Sequence, residues 1–104
     1  MAWIYLILAG FLEIFWAIGL KLSEGFSKMG VTLATVIAMM ASFSLLAQAL
    51  KTIPVGTGYA VWTGIGAAGT AMVGMFFLGE PREVGRLACV VLIICGVLGL
   101  KFMS

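Results

Sequence analysis

From Trp3 to Leu20 every residue is apolar or glycine except one, Glu13. A run of about 18 such residues is long enough for a helix to cross a hydrocarbon core of roughly 30 Å. An ionisable group near the centre of that span costs roughly 2.5–3.5 kcal/mol even on lenient insertion scales. No Lys, Arg or His lies in the middle of any apolar run to pair with it. A chain that keeps such an acid there must give it a partner.

The apolar pattern recurs three more times. The chain is 63% hydrophobic and 10% charged, where soluble domains run near a quarter charged, so it reads as a membrane protein. The expected fold class is all-α, one membrane domain over residues 1–104 with spans at about 3–20, 29–50, 55–78 and 84–102. The connection from Lys21 to Lys28 is polar, with Gly25 as its turn residue. Lys51-Thr52-Ile53-Pro54 is tight, and Pro54 suits a helix start. Gly79-Glu80-Pro81 has the punctuation of a helix stop. The first run lacks a basic n-region and carries Glu13 in its apolar core, so it reads as a permanent span and not a signal peptide.

Several function classes fall away. A net charge of +2, dispersed along the chain, does not point to nucleic acid. There is no His, and Cys89 and Cys95 are six residues apart, roughly 240° around a helix, so they form no shared metal site and read as packed cysteines. Without a nucleophile–base pair or ligand cluster, neither an enzyme nor a cofactor is expected.

Alternating spans put Lys21, Lys28, Arg82 and Arg86 on one side, and Lys51, Lys101 and the terminal amine on the other. Positive loops set orientation, and this bias is nearly balanced. The expectation is insertion in both orientations and antiparallel pairing. Four short spans are too small a bundle to enclose and gate a pathway, whereas a homodimer brings two copies of Glu13 together. A monomeric bundle with Glu13 turned to the headgroups is the plainer reading.

On a helix, Glu13 shares its face with Ala9, Gly10, Trp16, Ala17 and Leu20. In the third span Tyr59, Trp62 and Gly66 share a face, with Thr63 beside them. A carboxylate with aromatic walls is what a cation needs after losing its water. Each aromatic also has a plainer reading. Trp3 and Tyr5 read as interfacial anchors, and Trp16, Tyr59 and Trp62 lie near enough to span ends to be belt residues. Ser42 can bond back to its own helix four residues earlier. A carboxylate that holds either a proton or a cation is the thermodynamic core of an antiporter. The Gly64-Ile65-Gly66 stretch is the expected bend for alternating access, with close helix packing as the equal alternative.

These residues resemble a known family. Glu13, Trp16-Ala17 ahead of Lys21, Ser23-Glu24-Gly25-Phe26, and Pro54-x-Gly56-x-x-Tyr59-Ala60-x-Trp62-x-Gly64-x-Gly66 are similar to the small multidrug resistance transporters, along the whole chain. Trp16-Ala17, where multidrug members have Gly-Thr, resembles the guanidinium-exporter subtype. The resemblance implies an antiparallel, dual-topology homodimer in a bacterial inner membrane that exchanges guanidinium for protons. It implies Glu13 as the shared proton and substrate site, Trp16 and Trp62 as pocket walls, and Ser42 and Tyr59 as groups that orient the glutamates. It also implies a dimer contact on the fourth helix. There Gly96 matches one of two glycines seven residues apart, and Cys89 replaces the other. The competing readings are a multidrug exporter of quaternary ammonium ions, a passive channel of similar size, and an assembly subunit without transport.

Overall fold

The computed structural model describes residues 1–103. It contains four helices: α1 (Ala2–Leu22), α2 (Met29–Ala49), α3 (Val55–Phe77) and α4 (Val84–Met103). All four are long and apolar enough to cross a membrane. They stand within two residues of the expected spans at every boundary.

The helix ends follow local chemistry. Pro54 is the N-cap of α3, just ahead of the first helical residue. Gly79 sits at φ 74° after α3, and the Glu80 N–H donates back to the Gly74 carbonyl at 3.1 Å. Between α1 and α2, Glu24, Gly25 and Phe26 are all left-handed, with φ of 50°, 73° and 68°. Only Gly25 takes that conformation without strain. The wholly buried Ser23 braces the turn: its Oγ donates to the Leu20 carbonyl at 2.9 Å and accepts from the Phe26 N–H at 3.2 Å.

Helix α1 is central and packs on both α2 and α3, while the backbone of α4 approaches α3 alone and reaches α1 only through side chains, such as Lys101 over Trp3. In lipid, hydrophobicity does not drive helices together, so close backbone approach must. Small residues provide it. Gly10 lies against Ile65, and Gly69 against Ile14, along the α1–α3 seam. Gly19 receives Thr35 of α2, and Gly64 receives Val97 of α4. Leu6, Leu46, Val61 and Trp62 form the buried centre where α1, α2 and α3 converge. The Cα trace is only 17 Å deep in its thinnest direction. Helices are about 10 Å across, so this is a slab without room for an enclosed chamber. Any site on its face is an open one.

Candidate functional site

Glu13 leaves α1 and lies directly on Gly66 of α3, where a Cβ would collide with its Cγ, Cδ and Oε1. The glycine is therefore the floor of the carboxyl group. Glu13 Oε1 is buried and has no hydrogen-bond partner among the described residues. No ion pair reaches it either: the two salt bridges among the described residues join Lys28 to Glu24 and Arg86 to Glu83, both exposed. An unmatched buried polar group costs about 1–3 kcal/mol, and more when charged. Three further buried groups on α1 and α3 are also unmatched: Trp16 Nε1, one turn from Glu13 on α1, and Thr63 Oγ1 and Thr70 Oγ1 on α3. Thr63 and Thr70 flank Gly66 at helical spacing, so the α3 face under Glu13 carries hydroxyls without partners on either side.

The aromatic wall is continuous. Trp16 meets Phe43 edge-on with centroids 6.0 Å apart, Phe43 meets Trp62 at 5.6 Å, and Trp62 meets Tyr59 at 5.5 Å. Three helices thus contribute to one surface. Trp62 is fixed at its base, because its Nε1–H donates to Ser42 Oγ at 3.0 Å, and Ser42 Oγ–H donates to the Ala9 carbonyl at 2.7 Å. Ser42 is wholly buried, so this relay locks α1, α2 and α3 at one point.

The structure links Trp16 to Trp62 through Phe43, sets Tyr59 against Trp62, anchors Trp62 on Ser42, and seats Glu13 on Gly66, one helical turn from Trp62 on α3. Ser42 neither bonds back to its own helix nor contacts Glu13; within one protomer its single donor is committed to Ala9 and it positions Trp62. Tyr59 is 56% exposed, and its hydroxyl makes no hydrogen bond among the described residues. Helix α3 runs unbroken through Gly64 and Gly66, and both glycines are close-contact points, against Val97 and Glu13. Cys89 is an exposed free thiol, and Gly96 has nothing within 4 Å of where a Cβ would stand, so that face of α4 is open. Among the described residues no group of His, Cys, Asp or Glu is placed to hold a metal ion.

Phe43 escaped the sequence reading. It sits beside Ser42 in a helix without clear amphipathic periodicity, and only the meeting of α1, α2 and α3 reveals it as the link between the two tryptophans. The assembled face offers one carboxylate without a partner, flat π-surfaces and unused hydroxyls. It can take a proton or a compact organic cation.

Comparison with known proteins agrees with this chemistry. A family model described as Small Multidrug Resistance protein matches residues 1–93. A protein named Guanidinium exporter from Yersinia pseudotuberculosis is 54% identical over 104 residues, covering all of both chains. One of the same name from Escherichia coli K12 is 54% identical over 104 residues, covering all of this chain and 99% of that one. Another, from Salmonella typhimurium, is 50% identical with the same coverage. With a family match across most of its length and full-length relatives at this identity, the chain belongs to the Small Multidrug Resistance family.

Proposed function

We propose that this protein exports guanidinium across a bacterial inner membrane in exchange for protons, working as an antiparallel homodimer. The observation that carries this reading is Glu13: a mid-span carboxyl with a buried, unmatched oxygen, seated on Gly66, one helical turn along α3 from Trp62. The names of the full-length relatives support the same substrate.

Guanidinium is planar and rich in N–H donors. It pairs in parallel with both oxygens of a carboxylate and stacks flat on an indole. Bound this way it takes the place of the proton on Glu13, and the proton leaves as the cation arrives. Return of a proton releases the cation. Because one group serves both, the two ions exchange and do not leak together. Trp16 narrows the face, favouring a small flat ion over a bulky tetraalkylammonium. The slab has no enclosed chamber of its own, so a second copy facing the Glu13 side completes the pocket and places two carboxyls in it. A bend of α3 at Gly64–Gly66 would move its contacts with α4 and with Glu13 at once, coupling pocket geometry to the side that is open.

The test uses purified protein in liposomes and follows proton movement driven by a guanidinium gradient. Guanidinium-coupled flux, lost in Glu13→Gln and weak with a tetraalkylammonium, is expected. Strong flux with the bulky ion would reassign the protein to quaternary ammonium export, and flux without proton coupling would make it a channel.

A further inference from the structure

Behind the α1–α3 seam lies an apolar groove of about 320 Å³, walled by α1, α3 and α4. Its long wall runs from Trp3 to Ile14 on α1, eleven helical rises, or about 16 Å at 1.5 Å per rise. That is roughly half of a 30 Å hydrocarbon core, the depth of one leaflet. The floor is made shallow-sided by Gly64, Ala68 and Gly69 of α3. Lys101 is its single charged lining residue and stands at the Trp3 end, with its Nζ 5.2 Å from the Trp3 ring centroid. Lys101 pairs with no carboxylate among the described residues.

The groove faces away from the proposed pocket. At roughly 100° per residue, Ile7 and Ile14 of α1 point roughly 100–120° from Glu13. On α3 the directions of Val61 and Ala68 differ from that of Gly66 by roughly 140–160°. On α4, Lys101 and Ile94 project to one side of the α3 contact, and Cys89 and Gly96 to the other. A second copy that closes over Glu13 or meets the Cys89–Gly96 face leaves the groove uncovered, open to lipid.

We propose that the groove is a binding site for an anionic phospholipid, with an acyl chain along α3 and the phosphate on Lys101. The charge complementarity, the one-leaflet length and the position of the lysine at the membrane boundary each match that ligand. A lysine at the end of α4 can snorkel to the headgroup level, and its ammonium, which stands over the Trp3 ring, keeps its N–H donors unpaired with any carboxylate among the described residues.

Native mass spectrometry of the purified protein with phosphatidylglycerol or phosphatidylcholine of identical chains tests this. The wild type should retain phosphatidylglycerol about fivefold more strongly, the preference one lysine supplies at a membrane surface. Lys101→Gln should erase the preference and Lys101→Arg keep it. Met72→Trp, which fills the groove from an exposed lining position, should cut retention of both lipids several-fold, whereas Leu33→Trp on exposed α2 surface should not. Equal retention of the two lipids by the wild type, or undiminished retention by Met72→Trp, overturns the proposal. A shift of Met72→Trp to a smaller oligomer also overturns it, because protein and not lipid would then cover the groove.

Discussion

Gly66→Ala separates the fold of this protein from its site. In most helix interiors the change helps, since Gly costs about 1 kcal/mol relative to Ala. Here the new methyl lands on Cγ, Cδ and Oε1 of Glu13, the movable end of a flexible side chain. The backbone can therefore stay in place while the carboxyl swings away, with about 0.5–1.5 kcal/mol of rotamer strain. Fold stability should remain within about 1 kcal/mol of wild type because the two effects oppose each other. Binding should not survive so well: a misplacement of about 1 Å in a site that needs two aligned hydrogen bonds costs on the order of 100-fold. The assay is calorimetric titration of guanidinium into purified protein, with thermal unfolding of the same samples. Two glycines calibrate it. At Gly56 a Cβ meets nothing within 4 Å, so Gly56→Ala should bind normally. At Gly10 a Cβ would stand 2.8 Å from Ile65 Cβ, which cannot move without its helix, so Gly10→Ala should lower stability by about 1–3 kcal/mol. If Gly66→Ala unfolds like wild type and binds guanidinium within twofold of it, the floor of the carboxyl is not what positions it.

Ser42→Ala removes the acceptor for the buried Trp62 indole N–H, and thermal unfolding should show a loss of about 1–3 kcal/mol; an unchanged midpoint would mean the relay holds nothing. Trp16→Ala removes one end of the aromatic wall, so guanidinium KM in liposome flux should rise about tenfold, within the range of one cation–π contact, and a tetraalkylammonium should begin to move. Unaltered selectivity would assign Trp16 to the membrane interface alone. If α4 forms the proposed dimer contact centred between Cys89 and Gly96, an antiparallel pair places Cys89 of one copy opposite Gly96 of the other, while a parallel pair places the exposed Cys89 opposite Cys89. In a Cys95→Ser background, oxidation should therefore crosslink the chain only after Gly96→Cys is added, and efficient crosslinking through Cys89 alone would refute an antiparallel contact centred between Cys89 and Gly96.

The helices and the acid were legible in the sequence because each is written locally. Hydrophobic runs broken at Ser23–Lys28, Lys51–Pro54 and Gly79–Glu83 allow few alternatives, and a mid-span Glu13 stands out without any knowledge of its neighbours. Partnerships between helices were not legible. Ser42 had equally good uses on its own helix, and its bond to the Ala9 carbonyl depends on the approach of α1 and α2. Phe43 carried no signal because nearly every residue of α2 is apolar, so hydrophobicity there marks lipid contact and core alike. Gly66 was read as a bend or a packing point. The structure shows what it packs against, which is the one side chain whose chemistry matters most.

The sorting of residues by face explains why a chain this small suffices. The α1–α3 seam has two sides: one carries Glu13, Trp62 and the unmatched hydroxyls of Thr63 and Thr70, the other only apolar side chains down to Lys101. A single protomer thus presents unmatched polar groups on one side and an apolar surface on the other. Under the proposed pairing, the polar halves meet near the bilayer centre, where two carboxyls and two aromatic walls form a pocket neither copy holds alone. Antiparallel partners are chemically identical, so a dimer open to one side becomes, when the copies exchange conformations, the same structure open to the other. The two states then have equal energy in a symmetric membrane. Under that proposal no segment of the sequence has to encode a separate outward and inward form, and the proton and guanidinium gradients together set the direction of transport.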